Sequence, residues 1–302
     1  MTFNKIFILG AGAIGSVIGA LLSKKNDAIL IGNKAHVEAI KSKGLSVSSN
    51  KNETFRLQAD TQIREIHQGT LIFLTTKAYD AEKAVEGISR LLRKDTVVLV
   101  LQNGLGNEEI VKRAVGNKAK VLRGITNIAA EFFKAGEIKY WTGETTIEHD
   151  GVAEEIAATM NNSGLKTSVS KNINNETWSK VVLNSMINPL SAIFRVRNRE
   201  ISTQPLAEVR HQIIRECVQV GNAEGVTFPK NLEKGIGKEI VSYANYSSMC
   251  QDIMRGKRTE IDFLNGKIVE LGARHDISTP VNETLVHFIK FLEAKSEFPR
   301  EN

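Results

Sequence analysis

The segment KIFIL at 5–9 runs directly into GAGAIG at 10–15, and no charge appears from Phe7 to Ser23. An uncharged run of that kind has to be buried, in protein or in lipid, so it constrains the fold more than any other part of the chain. It carries Gly10, Gly12, Gly15 and Gly19. It falls short of the roughly 20 apolar residues of a membrane span, and no basic segment of the secretion-signal kind precedes it. What remains is a buried strand, a tight glycine turn and a helix packed on several sides, in a chain expected in the cytoplasm with no membrane partner.

The same rhythm of short apolar runs and longer amphipathic ones continues. AILI at 28–31, TLIFLTT at 70–76 and VVLVLQ at 97–102 read as buried parallel strands. Helices are expected from the glycine turn to about Lys25, through Lys43 with Gly44 as its stop, and from about Asp80 to Leu92. LSVS and TFRLQ within 45–68 suggest a small hairpin excursion. Antiparallel strands with a turn at Ala135-Gly136 are expected over 121–150, then a helix at 152–162 and a strand near 165–170. After SKNINNE at 170–176 no strand pattern remains. Leu206, Val209, Ile213, Cys217 and Val220, and again Ile261, Leu264, Ile268 and Leu271, repeat at helical spacing. The fold class is thus an α/β, Rossmann-type dinucleotide-binding domain over 1–171 followed by an all-α domain over 172–302.

Composition removes several classes of function. Forty Lys and Arg against thirty-four Asp and Glu give +6, enough to favour small anions. The densest basic clusters, Lys24-Lys25 and Arg255-Gly256-Lys257-Arg258, are short and lack interleaved aromatics, so no nucleic-acid partner is expected. Cys217 and Cys250 form no CxxC pair, which suits packed thiols in a reducing compartment. None of the six histidines has another three to five residues away, so no metal site is expected.

A glycine turn between a buried strand and a helix lets a pyrophosphate approach the backbone and rest on the helix N-terminus. After the second strand, where NAD-binding proteins usually carry an acidic residue for the ribose, Ile31-Gly32-Asn33-Lys34 offers a cation and an amide instead. NADPH is therefore expected over NADH, a plain surface lysine being the alternative. Lys77 and Asn103 end two further strands, where ligands of open α/β sheets gather. The Asn-Gly pair at 103–104 is followed by a helical pattern, which disfavours a hairpin turn.

In the second half, WSKVVLNSMINPLSAIF at 178–194 places Lys180, Asn184 and Asn188 along one stripe of an otherwise apolar helix. Such a lysine either snorkels to water or serves chemistry in a cleft. Asparagines are unfavourable inside a helix, so two of them point to partners. Pro189 has no N–H for the carbonyl of Ser185 and should leave that acceptor free beside a bend.

Together, GAGAIG at 10–15, TTKAYD at 75–80, LQNGLGNEE at 101–109, WSKVVLNSMINPLSAI at 178–193 and SSMCQDIMRGKRTEIDFLNG at 247–266 resemble the ketopantoate reductases over nearly the whole chain. The resemblance implies a helical domain of the 6-phosphogluconate dehydrogenase C-terminal type. It implies NADPH-dependent reduction of 2-dehydropantoate to (R)-pantoate in pantothenate biosynthesis, by a monomer or homodimer. It places Gly10, Ala11, Gly12, Ala13, Ile14, Gly15, Lys77, Asn103 and Ala130 on the dinucleotide. Lys34 falls where relatives commonly carry an arginine for the 2′-phosphate, a departure that keeps the charge and loses the planar fork. Lys180 becomes the proton donor, with Asn103, Asn184, Asn188, Asn198, Asn245 and Ser248 as further substrate contacts. Glu260 becomes a catalytic residue on nicotinamide or ribose. The plainer alternatives are a helix cap for Ser248 and, for Glu260, a first-turn carboxylate paired with Arg258. Two other functions stay open: reduction of other branched 2-keto acids, and an NADPH sensor without turnover.

Overall fold

The computed structural model describes residues 3–295 of the 302. The chain divides into two compact units. The first runs to Gln102 and resumes over Gly106–Ile173; the second takes Asn103–Leu105 and the chain from Asn174 onward.

In the first unit β1 (Lys5–Leu9), α1 (Ala13–Leu22), β2 (Ala28–Ile31) and α2 (Lys34–Lys43) follow in order. Then come β3 (Leu45–Ser48), β4 (Asn52–Phe55), β5 (Gln58–Asp60), β6 (Thr70–Leu74), α3 (Ala81–Glu86), β7 (Val97–Val100) and α4 (Asn107–Val115). The unit closes with β8 (Lys120–Thr126), β9 (Ala129–Lys134), β10 (Glu137–Trp141), β11 (Thr145–Glu148), α5 (Ala153–Asn162) and β12 (Thr167–Ser170). Eight strands form one sheet in the order β12-β11-β8-β7-β6-β1-β2-β5, parallel from β8 to β5. Strand β11 runs antiparallel to β8 and parallel to β12. A second sheet, β4-β3-β10-β9, packs on α1. The uncharged run thus has its explanation: α1 lies between β1 and β2 on one side and the small sheet on the other, with Gly15 to Ala20 and Leu22 buried.

Three local readings are corrected. Helix α1 stops at Leu22 rather than Lys25, because Ser23 Oγ and Asn26 Nδ2 take the carbonyls of Ala20 and Leu22. The helix expected over 80–92 is a 3₁₀ turn at Ala78–Asp80 plus α3, which gives way at Gly87 to i→i+3 turns. TFRLQ is not one strand: the hairpin ends at Phe55, and β5 joins the large sheet parallel to β2.

The second unit holds α6 (Ile173–Phe194), α7 (Ala207–Ala223), α8 (Leu232–Ile240), α9 (Ser248–Met254), α10 (Asn265–Arg274) and α11 (Pro280–Lys295), with no strand among the described residues. Its core gathers Trp178, Val182, Met186, Ile213, Cys217 and Ile268. Val209, in the first turn of α7, is 36% exposed, so the buried stripe begins a turn later at Ile213. Ile261 lies in a 3₁₀ turn ahead of α10, so its apolar series spans two kinds of helix. Both cysteines are free and buried, and burial above all pushes the Cys217 thiol up to about 12. No helix among the described residues is long and apolar enough to cross a membrane.

His36 ties the first unit together. Fully buried on α2, it accepts the Gly136 N–H at Nδ1 over 3.0 Å, which leaves the proton on Nε2 to donate to Ser16 Oγ, also at 3.0 Å. Burial holds its pKa below the ordinary 6.5, so the unfolded chain takes up the proton first as pH falls. Stability is fully present above that value and is lost progressively beneath it. The carboxylates of Asp150 and Glu270, held down chiefly by hydrogen bonds from Lys120 and Lys267, release stability only below their ordinary 3.8 and 4.5. Thermal unfolding should therefore show Tm beginning to fall as the pH drops below about 6.5, before the carboxylates contribute. His36→Gln, which keeps a donor and an acceptor, should flatten that slope.

Candidate functional site

The carboxyl ends of β1 and β6 meet where the strand order of the large sheet changes direction, the position at which open α/β sheets bind ligands. Two of the glycines there answer to the protein itself. Gly10 has φ +111°, and a Cβ on it would sit 2.3 Å from Thr76 N; a Cβ on Gly15 would sit 2.4 Å from Gly10 O. Gly12 answers to neither demand. Its backbone is ordinary extended chain at φ −81°, and a Cβ on it would approach only Gly10 O, at 4.0 Å. The exposed Gly12 therefore keeps open space beside the N-terminus of α1, which has no side-chain cap and no acid in its first turn. A pyrophosphate fits that cradle.

Neighbouring elements complete this half. Thr75 Oγ1 donates to Gly10 O at 2.8 Å, fixing the loop to the end of β6, and the half-buried Lys77 follows two residues later. Gln102 Nε2 reaches Thr76 Oγ1 at 3.2 Å, while its carboxamide oxygen is buried without a partner. Thr75 and Gln102, like Lys77 and Asn103, lie just beyond the carboxyl ends of buried strands, which is the signal the sequence carries for them. A Cβ on Gly32 would lie 2.9 Å from Ala11 Cβ, so the end of β2 abuts the glycine loop. Asn33 spends its carboxamide oxygen on capping α2, accepting the His36 N–H at 2.9 Å. Lys34, the next residue, is 84% exposed and 3.8 Å from Glu38. Ala130, half-buried on β9 opposite Tyr140, packs on the core that contains α1.

In the helical unit, α6 presents Lys180 and Asn184 half-buried and Asn188 buried, with Val181, Val182, Met186 and Ile187 buried around them. The helix continues through Pro189, and the acceptor expected at Ser185 is taken by Asn265 Nδ2 at 2.8 Å. Ser191 Oγ donates to Ser247 Oγ at 2.7 Å, tying this end of α6 to the start of α9. The cap of α9 is Ser247, whose hydroxyl accepts the Cys250 N–H at 3.0 Å. Ser248 is thus relieved of the capping role and stands half-buried as the first residue of the helix.

Asn198 and Asn245 come together through a backbone bond of 3.0 Å from Asn198 N to Asn245 O. Asn198 is buried, and its Oδ1 has no partner, an acceptor suited to a ligand hydroxyl. Glu260, 7% exposed, stands at the N-cap of the 3₁₀ turn Ile261–Phe263 rather than in the first turn of an α-helix, and Arg258 reaches Asp262 at 3.4 Å. Residues 103–105 join this segment: Leu105 N donates to Phe263 O at 3.0 Å, and a Cβ on Gly104 would lie 2.3 Å from the same oxygen. Asn103 is therefore held beside the turn that carries Glu260. No group of three His, Cys, Asp or Glu side chains among the described residues is placed to hold a metal.

Comparison with known proteins accounts for both halves. Residues 6–150 match the family model described as ketopantoate reductase PanE/ApbA, and residues 172–293 match its C-terminal counterpart. A curated 2-dehydropantoate 2-reductase of Pyrococcus horikoshii is 38% identical over 300 residues, covering 96% of this chain and 98% of the relative. The crystal structure of a PanE/ApbA family ketopantoate reductase from Ralstonia eutropha superposes with a TM-score of 0.90 at 30% identity, covering 97% of this chain and 100% of the other. D-mandelate dehydrogenase in a ternary structure with NADH and anilino(oxo)acetate gives 0.89 at 30% identity, with the same coverage.

The contrast among the glycines can be measured. Gly12→Ala should leave unfolding free energy within about 0.5 kcal/mol of the parent and weaken dinucleotide binding at least about tenfold, read by fluorescence titration. Gly10→Ala should instead lower stability by about 2 kcal/mol or more.

Proposed function

Because the chain belongs to the ketopantoate reductase family, we propose that it reduces 2-dehydropantoate to pantoate with NADPH. What carries this reading is a helix that sets one ammonium and two carboxamides, Lys180, Asn184 and Asn188, at four-residue steps among buried apolar side chains. Burial of that kind favours polar groups that have a task.

The dinucleotide, when bound, supplies a hydride to the ketone carbon. Negative charge then builds on the carbonyl oxygen, and the Lys180 ammonium is the group that answers it: its charge polarises the carbonyl, and Nζ gives up the proton the nascent alkoxide needs. Asn184 and Asn188, each donor and acceptor, orient the substrate. The orphaned Asn198 Oδ1 accepts from the substrate hydroxyl, with Asn245 beside it, and Ser248 binds the carboxylate. Glu260, at the head of its 3₁₀ turn, and Asn103, beside that turn, support the reacting end. On the dinucleotide side the backbone of residues 10–15 holds the pyrophosphate, with Lys77 and Ala130 as further contacts, and Lys34 meets the 2′-phosphate. The enzyme works as a cytoplasmic monomer or homodimer.

One observation favours a second reading, reduction of another 2-keto acid on the same scaffold: the likeness to D-mandelate dehydrogenase in a structure with NADH and anilino(oxo)acetate. Steady-state kinetics separate the two. Ketopantoate should give a higher kcat/KM than 2-ketoisovalerate or 2-ketoisocaproate; a better rate with either of those removes the specific assignment. Lys180→Ala should lower kcat by about 10²–10⁴-fold with NADPH affinity retained, and undiminished turnover would remove Lys180 from the reaction. Lys34→Ala should cost roughly tenfold in kcat/KM with NADPH and leave the NADH reaction unchanged.

A further inference from the structure

Pro189 lies inside α6 without an N–H, so the carbonyl of Ser185 loses the donor that interior helix carbonyls have. Ser185 is fully buried, and water cannot stand in. The donor comes from α10: Asn265 Nδ2, itself fully buried, lies 2.8 Å from Ser185 O. The same nitrogen gives its other hydrogen to Asn282 Oδ1 at 2.9 Å, and Asn282 Nδ2 donates to Glu216 Oε2 at 2.7 Å. The Glu216 carboxylate, 2% exposed on α7, also accepts the backbone N–H groups of Val281 and Asn282 at 3.0 Å each, closing the first turn of α11.

The direction of each amide follows from the one charged member. A carboxylate only accepts, so Asn282 turns its NH₂ group to Glu216 and its oxygen to Asn265; Asn265 then has only its NH₂ group to offer both Asn282 and Ser185. A flipped Asn265 would set oxygen against oxygen on two sides. Its own Oδ1 is left buried without a partner, so the donors alone account for its orientation.

Ser185 directly follows Asn184, and Pro189 directly follows Asn188. We infer that Asn265 is a positioning residue for the keto-acid half of the site: by giving Ser185 O the donor that Pro189 lacks, it holds the turns of α6 that carry Lys180, Asn184 and Asn188. This rests on the reading of that stripe as the reacting one. Asn265 touches neither substrate nor cofactor in this role and acts through the main chain of α6.

The test is a double-mutant cycle of Asn265→Leu and Pro189→Ala in the full-length enzyme, with Lys180→Ala alongside, read by keto-acid kinetics, NADPH titration and thermal unfolding. Alanine at 189 brings an N–H of its own to Ser185 O. Asn265→Leu alone should lower kcat/KM for the keto acid by about tenfold or more while the NADPH Kd stays unchanged. Measured against Pro189→Ala, the same substitution should cost no more than about threefold. If Asn265→Leu alone is poorly folded, adding Pro189→Ala should restore the part of the loss that comes from Ser185 O, the bond to Asn282 Oδ1 staying broken in both variants. A double variant as impaired or as poorly folded as Asn265→Leu overturns the inference, as does unchanged kinetics or an equal loss of NADPH affinity. Turnover that survives Lys180→Ala refutes the stripe reading itself; an inactive Lys180→Ala beside a fully active Asn265→Leu refutes only the positioning role.

Discussion

A helix with no charge needs cover on more than one side, and α1 imposes that need on the first unit. The large sheet covers one flank; the strands β3, β4, β9 and β10, drawn from two separate stretches of chain, cover the other. His36 makes the arrangement specific, since its two ring nitrogens join α2 to Ser16 of α1 and to the β9–β10 turn at Gly136. With α1 fixed in this way its first turn is held at the strand ends, and an anion-binding N-terminus becomes a site rather than a surface feature.

The second unit meets a different problem, that of placing polar groups inside an apolar core without leaving them unpaired. Glu216, Asn282 and Asn265 meet most of it as a connected series, Asn265 donating to Ser185 O and to Asn282, and Asn282 to Glu216, with Asn265 Oδ1 left over. Such a series ties α6, α7, α10 and α11 into one register, because shifting any helix breaks a buried bond. The groups left without partners, Asn198 Oδ1 among them, then stand out as acceptors that the fold has not used.

Most strands were legible because buried parallel strands read as uninterrupted apolar runs, as TLIFL and VVLV do. The length of α3 was not, since Leu91 and Leu92 extend the apolar pattern past a glycine that ends the helix. The stripe on α6 was legible from spacing alone. The capping role weighed as the alternative for Ser248 falls to its neighbour Ser247, because two adjacent serines offer the same chemistry and only the backbone angles decide between them. Pro189 announced an orphaned carbonyl, but its donor lies 80 residues from Ser185, and no local pattern points across that separation.

Residues 103–105 belong to the helical unit although the chain on both sides of them builds the α/β unit. The helical unit is therefore discontinuous: its turn at Gly104 is synthesised well before α6, and the pocket against Phe263 that receives it exists only once the segment ahead of α10 has emerged. A fragment starting at 174 would lack that turn and expose the backbone it covers. The first unit has its own strands and core before that segment is made, so the docking of this turn on Phe263 is a late step in completing the helical unit rather than a condition for folding the α/β unit.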